Sequence, residues 1–245
     1  MSAEVRVLPD PGAVCREAAS LFLSAADTAI KEKGVFAVAL SGGGTPRGLF
    51  RLLASDEFIS RVGWPNVHFF WADERCVPPD NPDSNYGDAS ALMLSRLPTP
   101  KANIHRIKGE LGPEVAASEY EAELGSFFGR GRVPSFDLIL LGMGADGHTA
   151  SLFPGSEALS ERDSLAVPVH VDRLGGWRVT LTIPVINNAG RVVFLVTGRS
   201  KAGVVKEILA GGADGKKYPA ALVAPRAGNT MWLIDKEAGE KVGTR

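Results

Sequence analysis

Phe136 to Ser156 reads FDLILLGMGADGHTASLFPGS, and its change of character halfway through decides the fold. Leu138 to Leu141 is a short apolar run closed by Gly142, the pattern of a strand buried on both faces of a parallel sheet. Gly142, Gly144 and Gly147 then break the chain, and glycines at such a turn can take positive φ and bring backbone N–H groups close to a ligand. Asp146 and His148 lie inside that turn. A titratable imidazole beside a carboxylate, just past a buried strand, stands where an open α/β sheet places its chemistry.

Gly142-x-Gly144-x-x-Gly147, with Asp163 about 20 residues beyond, also matches a dinucleotide fingerprint. That fingerprint needs a helix directly after the last glycine, and Pro154-Gly155 interrupts here, which argues against it. The 245 residues, 44% hydrophobic and 22% charged, suit a single globular domain spanning 1–245 with a sizeable core. A formal net charge of -1 carries no general attraction for nucleic acid or an anionic membrane. Cys15 and Cys76 stand far apart and form no metal or redox motif. No basic segment with an apolar core precedes Asp10, and no apolar run approaches the roughly 20 residues that span a bilayer, so a cytoplasmic protein is expected.

Upstream, Asp10-Pro11 opens a helix whose apolar stripe runs from Val14 to Ala29 and closes at Gly34. Val35 to Leu40 is a buried strand that delivers the chain into Ser41-Gly42-Gly43-Gly44-Thr45-Pro46. There Thr45 is expected to cap a helix with Pro46 at its first position, a helix amino end that favours phosphate or carboxylate. The loop lacks the Gly-Lys-Ser/Thr of a nucleotide P-loop, so a sugar phosphate fits it better than a nucleotide. Asn66 to Trp71 is a third strand running into Asp73-Glu74-Arg75, where an arginine offers a planar fork to anionic oxygens. A helix is expected from Ser84 to Leu97 and another from Pro113, with a short strand at Ile104 to Ile107. His68 and His105 carry no assigned chemistry.

Downstream, Leu165 to His170, Trp177 to Ile183, Arg191 to Thr197 and Met231 to Ile234 read as strands. Lys201 falls in the first turn of a helix, unfavourable to the helix dipole unless an anion is near. Strands alternating with helices throughout predict one α/β domain with a mainly parallel sheet covered by helices on both faces.

Ser41 to Pro46, Trp71 to Arg75 with Ser84-Asn85-Tyr86, Gly142 to Gly155, Pro184 to Ala189 and Thr197 to Lys201 resemble, in order and spacing, the successive motifs of the 6-phosphogluconolactonases. The resemblance implies a modified Rossmann-like fold, shared with glucosamine-6-phosphate deaminases and ribose-5-phosphate isomerases. It implies hydrolysis of 6-phospho-D-glucono-1,5-lactone, with His148 as the base that activates water and Asp146 or Asp73 as the carboxylate that orients it. The substrate's phosphate is expected among Gly43, Gly44, Thr45, Arg75 and Lys201, and the oxyanion on backbone amides of the glycine turn. No cofactor and no metal are expected, since the lactone is already activated and no histidine or cysteine cluster has ligand spacing. The expected partner is a small-molecule sugar-phosphate lactone, bound by a monomer or weak homo-oligomer.

Two other readings share these motifs. Amino-sugar-phosphate deaminases continue their Asp-Gly-His with Phe-Asn-Glu-Pro, placing a catalytic carboxylate five residues beyond the histidine, where this chain has Phe153. A noncatalytic sugar-phosphate sensor would keep the cradle and bind the product without speeding lactone loss. A serine hydrolase is disfavoured because no G-x-S-x-G elbow occurs.

Overall fold

The computed structural model describes residues 3–171 and 175–242. In chain order the elements are β1 (Glu4–Leu8), α1 (Pro11–Lys33), β2 (Phe36–Leu40), α2 (Gly44–Leu53), α3 (Asp56–Ile59), β3 (Val67–Trp71), β4 (Asp73–Arg75), α4 (Asn85–Ala89), β5 (Ile104–His105) and α5 (Pro113–Phe128). They continue with β6 (Leu138–Leu141), β7 (Ala166–Val171), β8 (Gly176–Leu181), α6 (Ile183–Ile186), β9 (Arg191–Val196), α7 (Ala202–Leu209) and β10 (Asn229–Asp235).

Local chemistry sets the first helix as expected. The Asp10 carboxylate accepts from the Ala13 N–H at 2.8 Å, Pro11 begins the helix, and Gly34 ends it in the left-handed region at φ 77° with its N–H on the Ile30 carbonyl. Val14, Ala18, Phe22 and Ala29 of the predicted stripe are buried, and Phe22 packs between Phe36 and Trp64. Each such fully buried aromatic is worth about 1.5–3 kcal/mol over leaving it in water.

The main sheet is parallel and seven-stranded, in the order β1-β10-β9-β6-β2-β3-β5. Every residue of β2 and β6 is buried, so both faces of the sheet are covered there. From β2 the chain runs outward through β3 to β5, then returns to β6 and runs the other way through β9 to β10. The boundary between β2 and β6 is therefore the topological switch point, where an open α/β sheet leaves a crevice beyond its carboxyl ends.

Several expectations are corrected. The strands at residues 165–170 and 177–183 exist, but they form an antiparallel hairpin, β7–β8, outside the main sheet. β8 also pairs with β4, making a separate three-stranded sheet, order β4-β8-β7. Asp73-Glu74-Arg75, into which the third strand was expected to run, is thus a strand in its own right. Ile183 leaves the strand because Pro184 lies in the first turn of α6. The helix expected over 84–97 is the short α4 followed by a wider π turn at Ser90–Leu94. β1, an edge strand with Val5 and Val7 exposed, was not anticipated. Among the described residues no helix is long and apolar enough to cross a membrane.

Candidate active site

The β2–β6 register pairs Val38 with Leu138 and Ala39 with Ile139, so the loops beginning at Gly42 and Gly142 leave neighbouring strands side by side. β9 lies on the other flank of β6, and β3 on the other flank of β2. Four strand ends, followed by loops 41–43, 72, 142–152 and 197–201, consequently share one edge of the sheet.

In the turn after β6, His148 Nδ1 lies 2.5 Å from Asp146 Oδ1, and the His148 backbone N–H donates to the same oxygen at 3.2 Å. The Gly144 N–H closes the turn onto the His148 carbonyl at 2.9 Å. Of the three glycines only Gly147 takes positive φ, 78°. Gly144 is required for space instead: a Cβ there would fall 2.2 Å from the imidazole and 2.5 Å from Asp146 Oδ1. Phe153 stacks on the imidazole with ring centres 4.3 Å apart. With Nδ1 donating to the carboxylate, a neutral imidazole carries its lone pair on Nε2.

Asp73 is buried, and its carboxylate accepts from Ser151 Oγ at 2.7 Å while its carbonyl accepts from Asn85 Nδ2 at 2.9 Å. Of the two carboxylates considered as orienters of His148, Asp146 is the one hydrogen-bonded to the ring. Asp73 holds the far end of the same turn. Side chains two apart on a strand share a face, so the face of β4 that carries Asp73 also carries Arg75. Opposite them in register stand Thr180 and Arg178 of β8, and Thr180 Oγ1 accepts the Ser151 N–H at 3.3 Å. This face of the small sheet is turned toward the histidine loop.

Arg75 and Arg178 therefore oppose each other directly. Burial first, and repulsion from Arg75 second, push the Arg178 guanidinium below its ordinary pKa, and its carbon lies 5.7 Å from the centre of the Phe153 ring. Arg75 donates to the Asp83 carbonyl, while its buried Nε has no partner among the described residues. Like charges facing across an antiparallel pair are unfavourable, and an anion between them turns the arrangement favourable. Arg178 was missed in the sequence, because its relevance depends on a pairing between β4 and β8 that no local pattern announces.

The triglycine loop departs from expectation in detail. α2 begins at Gly44 with Gly43, at φ 112°, as an N-cap that has no side-chain acceptor. Thr45 caps nothing; its hydroxyl bonds to Thr197 Oγ1 at 2.8 Å, joining the ends of β2 and β9. Turning in two residues early leaves the first-turn N–H groups to an external acceptor. Gly42 leaves room for Asn85, whose Oδ1 would lie 1.9 Å from a Cβ at that position. Lys201 sits in a 3-10 turn just before α7 rather than inside it, donating to the Thr197 carbonyl at 3.2 Å. Burial lowers its pKa, and nearby Asp235 partly offsets this. Gly44, Thr45, Thr197 and Lys201 line one wall of a cavity of about 510 Å³ that extends toward α1.

The likenesses to known proteins run along the whole chain. Residues 9–232 match the family described as glucosamine-6-phosphate isomerases/6-phosphogluconolactonase. A 6-phosphogluconolactonase from Nostoc sp. is 42% identical over 245 residues, 99% of this chain and 99% of that one. Another from Synechocystis sp. is 46% identical over 217 residues, covering 87% of this chain and 88% of its own. The solved 6-phosphogluconolactonase of Trypanosoma brucei superposes with a TM-score of 0.87 at 28% identity, over 99% of both chains. With the switch-point fold, the Asp-Gly-His turn and these similarities in hand, the chain belongs to the glucosamine-6-phosphate isomerase/6-phosphogluconolactonase family.

Proposed function

We propose that this chain hydrolyses the ring ester of 6-phospho-D-glucono-1,5-lactone to 6-phospho-D-gluconate, the second step of the oxidative pentose phosphate pathway. The observation that carries the reading is the His148–Asp146 pair, 2.5 Å apart at the carboxyl end of β6, beside the opposed Arg75 and Arg178. Nε2 of His148 takes a proton from water as the water oxygen attacks C1 of the lactone. Asp146 holds the tautomer that makes this possible and stabilises the imidazolium that results. Backbone N–H groups of the glycine turn receive the charge that develops on the carbonyl oxygen. When the C1–O5 bond breaks, the imidazolium returns its proton to O5, and the base is restored.

The phosphate lies far from C1 and supplies binding energy that fixes the carbonyl over the imidazole. Gly43, Gly44 and Thr45 at the start of α2, Lys201, and the Arg75–Arg178 pair are its proposed ligands. Phe153 supports the lactonase over the deaminase. It fills the place where a ring-opening carboxylate would stand, and it packs against both His148 and Arg178. A cytoplasmic setting, a single working domain and a monomer or weak homo-oligomer complete the reading. Sedimentation at micromolar concentration checks the last of these, and a tight dimer would overturn it.

The direct test follows hydrolysis of freshly prepared lactone by acid release, corrected for the spontaneous rate. A protein that binds 6-phosphogluconate yet leaves the spontaneous rate unchanged would be a sensor, and the hydrolase reading would be wrong.

A further inference from the structure

Glu74 lies between Asp73 and Arg75 but points to the opposite face of β4, away from the histidine turn. It is 2% exposed, and no part of the chemistry above uses it. Its carboxylate gathers four donors. Oε1 accepts from the N–H groups of Arg75 at 2.7 Å and Asn85 at 2.8 Å, and Oε2 from Ser84 Oγ at 3.0 Å and the Tyr86 N–H at 2.8 Å. Burial raises the pKa of this carboxyl group, and these four bonds pull it back. A buried carboxylate so fully hydrogen-bonded, with no ion pair among the described residues, holds its surroundings in one arrangement.

What it holds is informative. One bond fixes the backbone of Arg75. Two others fix the first turn of α4 at Asn85 and Tyr86, and the fourth fixes Ser84, whose hydroxyl also accepts the Gly87 N–H at 2.9 Å. The Asn85 side chain reaches the Asp73 carbonyl and fills the space beside Gly42. The intervening loop carries Asp83, whose carbonyl receives the Arg75 guanidinium, and the prolines at 78, 79 and 82 stiffen it.

We propose that Glu74 is a positioning residue for phosphate recognition: from behind the site it sets Arg75 and, through Asn85, the Gly42 end of the triglycine loop. This rests on the phosphate assignment made above. Glu74 touches neither the imidazole nor the turn that carries it, so its loss loosens the grip on the phosphate more than the chemistry at C1.

The experiment compares kcat and KM of the wild type and Glu74→Gln on 6-phosphogluconolactone and on glucono-1,5-lactone, the same ring without its phosphate. Glutamine keeps the shape but turns an amide N–H₂ toward groups that are themselves donors. KM for the phosphorylated lactone is expected to rise about tenfold, with kcat changed by less than about threefold. On the unphosphorylated lactone kcat/KM should fall by less than about threefold. An equal loss on both lactones, or no loss on either, overturns the role of Glu74 while leaving the phosphate reading in place. A wild type that treats the two lactones alike overturns the phosphate reading, and the Glu74 role with it. Should the glutamine variant lack a native circular dichroism spectrum, Ser84→Ala removes one donor from outside. A rise of about threefold in KM for the phosphorylated lactone alone is then expected, and an unchanged KM overturns the proposal.

Discussion

At the scale of single residues, the imidazole is gripped on three sides: by Asp146 at Nδ1, by the Phe153 ring on one face, and by the bare backbone of Gly144. His148→Ala removes the proposed base and leaves the proposed phosphate ligands untouched, so kcat should fall about 10²–10⁴-fold while 6-phosphogluconate binds nearly as well. Stopped-flow turnover and calorimetry measure the two effects separately, and wild-type turnover would show the base assignment to be wrong. Arg178→Ala takes away one of the charge-assisted contacts proposed for the phosphate, an expected loss of about 1.5–3 kcal/mol. KM should rise about 10- to 100-fold while kcat holds. If KM stays put, the phosphate is not between the two arginines.

The residues of the site were unequally legible in the sequence. Asp146 and His148 stand in a glycine turn directly after an apolar run, so both their proximity and their place on the sheet are local facts. Thr45 was found but misread. A threonine before Pro46 has the look of a cap, yet Gly43 turns the chain earlier and frees the hydroxyl for Thr197, 152 residues away. Arg178 left no trace, because an arginine among Trp177, Val179 and Thr180 looks like any edge-strand residue until β4 is laid beside it.

Among the elements, α5 secures the point where β3 passes toward β4. The Tyr120 hydroxyl donates to the Trp71 carbonyl at 2.8 Å and accepts the Trp71 N–H at 3.0 Å. Tyr120→Phe strands both backbone groups in the interior and should cost about 1–3 kcal/mol. In a chain of this size that is a fall in Tm of about 2–12 °C, read by calorimetry. The rim of the same sheet carries a pair of titratable rings. His68 Nδ1 lies 3.0 Å from His105 Nε2, whose ring bonds through Nδ1 to Glu123 at 2.5 Å. Burial, and secondarily the neighbouring His105, hold the His68 pKa below its ordinary 6.5. The fold therefore favours neutral His68. That share of stability is present above the ordinary imidazole range and is lost as pH falls through 6.5 toward the depressed folded value. Between about pH 7 and pH 5 the Tm of His68→Gln should decline less steeply than that of the wild type. Parallel declines would show that His68 does not contribute.

Element types were more legible than element partners. The buried runs at 36–40, 138–141 and 192–196 are short continuous apolar stretches, which suit strands of a doubly covered sheet. The strands at 166–171 and 176–181 show the same preference for β structure, and nothing within them says that they pair with each other and with β4 instead. β1 is short and sits at an edge with Val5 and Val7 exposed, so its sequence carries little burial signal.

For the molecule as a whole, ligand binding and folding are one equilibrium, because the site is assembled from loops on four strand ends and from a second sheet. At about 100 times its dissociation constant, 6-phosphogluconate should add about 2.7 kcal/mol to stability. For this length that raises Tm by about 5–11 °C, and Arg178→Ala should lose much of the gain. A shift of the same size with inorganic sulfate at equal concentration would mean that the sugar adds nothing to recognition.

The order of strands in the main sheet has one more outcome. Everything before the exposed turn at 130–133 contributes β1, β2, β3 and β5, and everything after it contributes β6, β9 and β10. Yet β1 crosses to the distant margin and lies against β10, so the earlier part of the polypeptide clasps the later part from both sides. A protease cut in that turn should give two fragments that travel together through a sizing column and still turn over the lactone. What unites them is interwoven β pairing, and the severed peptide bond is dispensable.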